Sequence, residues 1–415
     1  MTFSKYLYAT AITGMLIASG APNALCGGYQ VNLQGQRQIG MGNTGVAFTN
    51  DASSIFFNPG AMARMPKSGV VLGGSFIFSK VKYLSATTNT VHETESPMGT
   101  PFAVYAAYKI NDKITAGLGV YTPFGSSVKW ADDWEGRFAL ESIKLQTISV
   151  QPTISYKIND MISVGAGFTY SFGSVSLTRG VPLTDSDGNP SRGTLSGRAS
   201  GIGFNLGTSI AVNEKLMIGA SFRSASAMAV KNGETSFTVP GSAASNFPTT
   251  NFQASLPLPY VLSLGASYQP TEKLLLSAEV NYVGWSAYKE LKFEYDTLVA
   301  GSNETVSKRN YKNSFIFKVG GEYYITENFA LRGGVYFDQS PVQDGYMTAE
   351  TPDSNTLGYS IGLGYRIGEA VNIDASLLFV DRAKRENVAA PDANTLSGTF
   401  HAGAVIPGIS IGINF

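Results

Sequence analysis

The chain has 415 residues, and its 30 Lys plus Arg balance 30 Asp plus Glu, so the formal net charge is zero. Such a chain offers no excess positive charge to nucleic acid or to anionic lipid. Charged residues make up 14% of the total, against roughly a quarter in soluble domains, while the chain holds 46 glycines, 21 tyrosines and 24 phenylalanines. This composition disfavours a soluble domain with a solvated surface and favours a β surface that faces lipid.

The first 26 residues predict a secretory signal peptide. Lys5 supplies a positive charge, residues 9–19 are apolar, and residues 24–26 (Ala-Leu-Cys) match a cleavage pattern that ends in a small residue. Cleavage there would start the mature chain at Gly27 and would remove Cys26, the one cysteine. A lipoprotein cysteine at this position is an alternative that the large residue before it disfavours.

No run of 18 apolar residues follows the signal, so the sequence predicts no transmembrane helix. In the hydrocarbon core of a membrane, backbone polar groups can form hydrogen bonds only with one another. A chain that spans a membrane without helices must therefore form a closed β-barrel.

Residues 27–67, the hatch segment, come next in the chain. They are rich in Gly, Asn and Gln and show no regular alternation of apolar and polar residues. The segment is too long for an idle linker. In a barrel we expect it to fold back into the lumen as a plug.

From residue 68 to residue 415, alternation with a period of two dominates, as in residues 202–210, 357–365 and 409–415. Large apolar residues on one face and small or polar residues on the other are typical of a barrel wall with lipid outside. A periplasmic β-sandwich would also alternate, but the low charge and the signal peptide favour the membrane.

Short polar turns repeat between these strands. The sequence YKINDKI at 108–114 returns as YKINDMI at 156–162, and four looser copies follow near residues 213–215, 271–273, 326–328 and 368–369. The opposite connections are long: residues 84–99, 122–144, 180–199, 238–256, 299–311, 339–355 and 384–395. Six short turns join twelve strands, and one strand at each end completes a predicted all-β, 14-stranded antiparallel barrel with both termini on the short-turn side.

The hatch segment and three later stretches resemble the FadL/TodX family of outer-membrane transporters. Within the hatch segment the resemblance rests on residues 28–32 (GYQVN), 40–45 (GMGNTG) and 51–61 (DASSIFFNPGA). The later stretches are Pro123-Phe124-Gly125 with Trp130, Trp134, Gly136 and Arg137; Leu256-Pro257 with Tyr282, Trp285-Ser286 and Leu291; and residues 337–342 with Pro352-Asp353.

The resemblance implies a Gram-negative outer-membrane barrel with an N-terminal hatch, acting as a single chain without a cofactor. It also implies passive uptake of hydrophobic molecules, long-chain fatty acids foremost. External loops would capture the ligand, a lumenal pocket would hold it, and it would leave sideways into the membrane lipid after the hatch shifts. The sequence leaves open whether the ligand is a fatty acid, an aromatic hydrocarbon or another lipid.

The resemblance also implies roles for particular residues. Asn58-Pro59-Gly60 would form the hatch gate, with Gly where the family usually has Ala; in isolation the same residues are an ordinary turn. Four aromatic residues in the second long connection, residues 122–144, would capture ligand, or else would belong to an aromatic girdle: Phe124, Trp130, Trp134 and Phe138. Arg137 would brace this loop by pairing with nearby acids.

A fatty-acid carboxylate in an apolar lumen needs a cation or several donors to offset its lost hydration. Arg179 falls where the family has a pocket arginine, and Lys308, with Arg309 beside it, falls near a second pocket cation. The alternative is that these are solvated charges at loop ends.

The sequence gives little support for an enzymatic site. With two histidines, His92 and His401, a catalytic triad or a histidine metal site would rest on one of them, and no metal site is predicted. Two rival functions remain: a barrel with a binding or secretion-assembly role and no transport, and an outer-membrane enzyme such as a lipase.

Overall fold

The computed structural model describes residues 28–49, 51–391, 393 and 395–415. The signal peptide predicted for residues 1–26 lies outside the described residues. Within them, no helix is long and apolar enough to cross a membrane. Two short α-helices, α1 (Gln36–Gly40) and α2 (Ser54–Phe57), and 3₁₀ turns at Pro59–Arg64, Gly241–Asn246 and Trp285–Ala287 accompany the strands.

The strands are β1 (Gly69–Ser75), β2 (Phe78–Ser85), β3 (Val91–Glu93), β4 (Phe102–Lys109), β5 (Ile114–Tyr121), β6 (Gly125–Lys129), β7 (Ser142–Lys157), β8 (Ile162–Thr184), β9 (Pro190–Ala211), β10 (Leu216–Arg223), β11 (Ser226–Thr238), β12 (Asn251–Leu258), β13 (Val261–Thr271), β14 (Leu274–Val283), β15 (Glu290–Val299), β16 (Ser302–Lys308), β17 (Ser314–Tyr324), β18 (Phe329–Asp338), β19 (Thr356–Ile367), β20 (Val371–Arg382), β21 (Arg385–Asn387) and β22 (Gly398–Asn414).

Fourteen of these strands close into one antiparallel ring, in the order β1-β4-β5-β7-β8-β9-β10-β13-β14-β17-β18-β19-β20-β22. The last strand pairs back onto the first, with Gly69 opposite Asn414. The predicted 14-stranded barrel is thus confirmed.

The other strands extend the wall on the side of the long connections. For example, β6 continues β5 along β7, and β11 continues β10 along β9. Residues 180–199, predicted as a loop, therefore include the ends of β8 and β9, and residues 299–311, also predicted as a loop, contain the whole of β16.

The wall has an apolar outer face, as β8 shows. Phe168, Tyr170 and Phe172 share one face of this strand and are 51%, 45% and 40% exposed. The alternate residues Gly167, Thr169 and Ser171 point inward, where the last two are buried. Large exposed apolar side chains on a continuous band are what a lipid-facing wall requires.

The described residues of the hatch segment lie inside the ring and contact strands on several sides of it. The amide of Gly42 donates to Ser360 Oγ on β19 at 3.0 Å, and Asn58 Nδ2 donates to the carbonyl of Thr208 on β9 at 2.9 Å. The amide of Ala63 donates to Ser155 Oγ on β7 at 3.1 Å. Polar groups of an irregular segment thus find partners on the inward face of the wall, as buried backbone groups must.

Candidate functional site

An apolar cavity lies in the outer half of the lumen. It is lined mainly by inward-facing side chains of β7, β8, β9, β11, β12 and β15, together with parts of the hatch segment and of the loop after β18. Its empty space, counted out to the open mouth, is about 770 Å³. The lining residues include Ile143, Leu145, Val175, Leu177, Ala199, Met228, Val230, Ala254, Leu256, Leu291 and Phe293.

Tyr29, at the start of the described hatch segment, forms part of this lining. Its ring meets Trp285 and Tyr288 edge-on, with ring centroids 5.0 and 5.7 Å apart. Its hydroxyl donates to the carbonyl of Pro257, at the end of β12. One hatch residue therefore ties the cavity to two elements of the outer wall.

A buried ion pair borders the cavity. Glu350 lines it, and Arg309, which is 2% exposed, pairs with Glu350 through Nη2. The guanidinium also lies 5.9 Å from the ring centroid of Tyr288, another lining residue. Burial alone would lower the pKa of Arg309, but the charge of Glu350 raises it above its ordinary value, so the group is cationic.

Two donors of this guanidinium are unused. Arg309 Nε and Nη1 are buried and have no hydrogen-bond partner within the described part of the chain. A buried charged donor without an acceptor is costly. An acceptor brought by a ligand would relieve that cost.

The two predicted pocket cations occupy different places. Arg179 of β8 is half-buried, has the same inward parity as Val175 and Leu177, and faces Gly193 in the register of β9, but it does not line the cavity. Lys308 is exposed at the end of β16, opposite Glu290 in register. Arg309, its neighbour, is the residue that lies buried beside the cavity.

The second long connection, residues 122–144, is folded into the mouth of the barrel. Trp130 and Trp134 are 0% exposed and stack with ring centroids 4.2 Å apart and an interplanar angle of 9°. Phe124 is also buried, and its backbone forms a bridge with that of Gln30 in the hatch segment. Phe138 alone of the four aromatic residues is exposed, at 42%.

Arg192 makes ion pairs with the acids of this loop. It reaches Asp132 and Glu141, each at 2.8 Å. Arg137 instead lies over the ring of Phe138, with its guanidinium carbon 4.5 Å from the ring centroid. Its backbone carbonyl accepts from the amide of Gly180 at the outer end of β8.

The Asn58-Pro59-Gly60 turn is fully buried against the wall. Asn58 Oδ1 accepts from the amide of Gly60 at 3.0 Å, which caps the 3₁₀ turn that starts at Pro59. Asn58 Nδ2 donates to the carbonyl of Val46 at 2.7 Å, within the hatch segment itself.

A second hatch contact involves a buried charge pair on the wall. Glu279 of β14 accepts from the amides of Gly45 and Val46 at 2.7 and 2.9 Å. Its other oxygen accepts from Lys318 Nζ of β17 at 2.8 Å. Among the described residues, no group of three or more His, Cys, Asp and Glu could hold a metal ion.

Comparison with known proteins agrees with this geometry. A family profile described as "Outer membrane protein transport protein (OMPP1/FadL/TodX)" matches residues 17–415. The chain belongs to the FadL/TodX family. Members transport hydrophobic compounds across the outer membrane of Gram-negative bacteria, and this FadL/TodX-family chain is accordingly an outer-membrane channel and not an enzyme.

Relatives cover nearly the whole chain. An outer membrane protein of Neisseria meningitidis serogroup B is 29% identical over 91% of this chain and 90% of its own length. The long-chain fatty acid transport protein of Salmonella typhi is 21% identical over 91% and 92%. Two solved structures share the fold: a Pseudomonas aeruginosa FadL homologue (TM-score 0.82, 20% identity, 94% of this chain and 100% of that one), and the Ralstonia pickettii toluene transporter TbuX (TM-score 0.70, 18% identity, 92% and 98%).

Among the residues of this family barrel's interior that sequence reasoning missed are Glu279, Lys318 and Glu350. Glu279 and Lys318 had a usable signal, because each is a charge at an inward position of a strand that crosses the membrane, where charges are costly and usually paired. Glu350 had none, since it lies in a long loop among other polar residues and only the fold brings it to Arg309.

Proposed function

We propose that the chain takes up apolar compounds with one anionic end, long-chain fatty acids foremost, by passive diffusion through a single barrel. The observation that carries this proposal is the pairing of the apolar cavity with the buried Arg309, whose Nε and Nη1 have no partner in the described part of the chain. Residues 27–67 act as the hatch and residues 68–415 as the barrel.

The two ends of such a ligand match the two parts of the site. Each methylene that leaves water for the cavity contributes about 0.8 kcal/mol. The carboxylate loses hydration on entry, and a charge-assisted hydrogen bond from Arg309 offsets that loss. Arg179, on the inward face of β8 two residues beyond Leu177, is a further cation for the carboxylate on its way in.

The route follows the family's scheme. Phe138, the exposed aromatic residue of the second long connection, offers a first apolar contact to ligand outside the membrane. The cavity then holds the ligand, and a shift of the hatch at Asn58-Pro59-Gly60 frees a lateral exit into lipid. The bridge between Gln30 and Phe124 supports this coupling, because it joins the hatch to the break between β5 and β6.

Neutral aromatic compounds are the second candidate ligand class. No Lys or Arg lines the cavity itself within the described residues, and Glu350, which does line it, would repel a carboxylate that failed to reach Arg309. The relative TbuX is a toluene transporter.

Uptake by cells tests the proposal. A Gram-negative strain without its own fatty-acid channel, supplied with this chain, should accumulate labelled oleate faster than the same strain with an empty vector. Faster uptake of toluene with unchanged uptake of oleate would favour the second candidate. Retention of oleate by the purified barrel without any uptake would favour a binding role without transport.

A further inference from the structure

A basic groove lies on the outer face of the barrel, away from the lumen. It runs across β7, β8, β9 and β11 and holds about 1320 Å³ of space, counted out to its open side. Its cations are Lys144, Arg198 and Lys231, all exposed. Glu234 is the one acid among its lining residues.

The strand register places the three cations around a floor of small side chains. Lys144 faces Ser176 across β7 and β8, and Arg198 faces Ser174 across β8 and β9. Neighbouring strands are about 4.8 Å apart and two residues rise about 6.8 Å along a strand, so Lys144 and Arg198 stand roughly 12 Å apart on the diagonal across β8. Serine hydroxyls on that floor are available hydrogen-bond donors.

Lys231 brings a second positive charge next to Arg198. Ala229 faces Ser200 in the register of β11 and β9, so Lys231, two residues on, falls beside Arg198 at the start of a bulge. No ion pair in the described part of the chain involves any of the three cations. Like charges held side by side without a partner repel each other, and an anion between them would remove that cost.

The groove begins where the lipid-facing band ends. Phe172 is the last large apolar residue of the outward face of β8, and Ser174 and Ser176 follow it on the same face. The span from Ile162 to Phe172 matches the roughly 9–11 residues with which a β-strand crosses a membrane. Ile162 follows a short turn, and the short turns of such barrels lie on the periplasmic side. The groove, at the other end of the span, therefore lies at the headgroups of the outer leaflet.

We propose that this groove binds the phosphorylated headgroup of an outer-leaflet glycolipid whose acyl chains lie against Phe168, Tyr170 and Phe172. Clusters of Lys and Arg beside a membrane surface attract anionic headgroups in this way. Because the groove adjoins the lipid-facing band, an anion that carries acyl chains fits this place better than a free anion in solution. The proposal is independent of which compound the lumen carries.

The test measures binding of diphosphorylated lipid A, and of the same lipid after enzymatic removal of its phosphates, to the purified full chain by native mass spectrometry. The charge variant combines Lys144→Gln, Arg198→Gln and Lys231→Gln. The control variant combines Lys113→Gln, Lys215→Gln and Lys273→Gln, which remove as many exposed charges at the short turns of the opposite rim.

We expect wild type and control to prefer the phosphorylated lipid, and the charge variant to bind it at least tenfold more weakly. Dephosphorylated lipid should bind all three proteins alike. Equal binding of phosphorylated lipid by the charge variant and the control overturns the proposal. Should the charge variant not fold, Arg198→Gln alone must still weaken binding several-fold, and unchanged binding overturns the proposal as well.

Discussion

Gly60 of the hatch segment lies directly against Gly207 of β9. A Cβ on Gly60 would come within 2.7 Å of the carbonyl oxygen of Gly207, and one on Gly207 would come within 2.2 Å of Asn58 Oδ1. A Cβ at either position would therefore collide with the opposite segment, and both positions require glycine. This contact explains why position 60 of this chain is a glycine.

The first prediction follows from that contact. Gly60→Ala should push the turn away from the wall and raise the conductance of the barrel in planar bilayers, with little change in its thermal unfolding. Gly241→Ala is the matched control, because a Cβ there meets nothing within 4 Å. Conductance equal to wild type in the Gly60 variant would mean that this contact does not seat the hatch.

The second prediction concerns the Glu279 contact with the hatch. Glu279→Ala removes the acceptor of two hatch amides and leaves the buried Lys318 unpaired, which typically costs about 3–5 kcal/mol. The variant should be less stable to denaturant and more conductive. Adding Lys318→Ala should restore much of the stability but not the low conductance, since the hatch amides still lack their acceptor. If the double variant regains both its stability and its low conductance, the Glu279–Lys318 pair stabilises the wall and does not hold the hatch.

The third prediction distinguishes the roles of the buried and the exposed aromatic residues of the second long connection. Trp134→Ala should destabilise the outer half of the barrel by about 3–5 kcal/mol, as removal of a buried large side chain does. Phe138→Ser should leave stability unchanged, because the ring is exposed, but should slow ligand association measured by stopped-flow fluorescence. An unchanged association rate would show that Phe138 is not a capture residue.

Alternation predicted the wall well because lipid forces one face of every crossing strand to be apolar, as Phe168, Tyr170 and Phe172 show. Outside the membrane, neither face of a strand is required to be apolar. Residues 190–200 of β9 have small or polar side chains on both faces apart from Leu195, and so they gave no strand signal. The count of fourteen wall strands was therefore predictable, and the height of the strands above the membrane was not.

The candidate site, like the wall, was predictable from the sequence only in part. The need for a lumenal cation follows from the chemistry of a carboxylate in an apolar cavity. The resemblance to the family pointed to Lys308 or Arg309 for one such cation. Which of the two is buried depends on the loop after β18, which supplies Glu350. A contact between two long connections far apart in the chain leaves no local pattern.

Titration of hexadecanoate and hexadecanol against wild type and Arg309→Gln tests the central claim most directly. If Arg309 supplies a charge-assisted hydrogen bond to the carboxylate, the variant should bind the acid about 1.5–3 kcal/mol more weakly, roughly ten- to a hundredfold. Binding of the alcohol should change far less. Arg179→Ala, a change outside the cavity, should slow association of the acid and weaken its binding less than Arg309→Gln does. Lys308→Gln, a change at the exposed neighbour, should have little effect. Equal loss of acid and alcohol binding in the Arg309 variant, or no loss of either, would contradict a carboxylate site in this cavity.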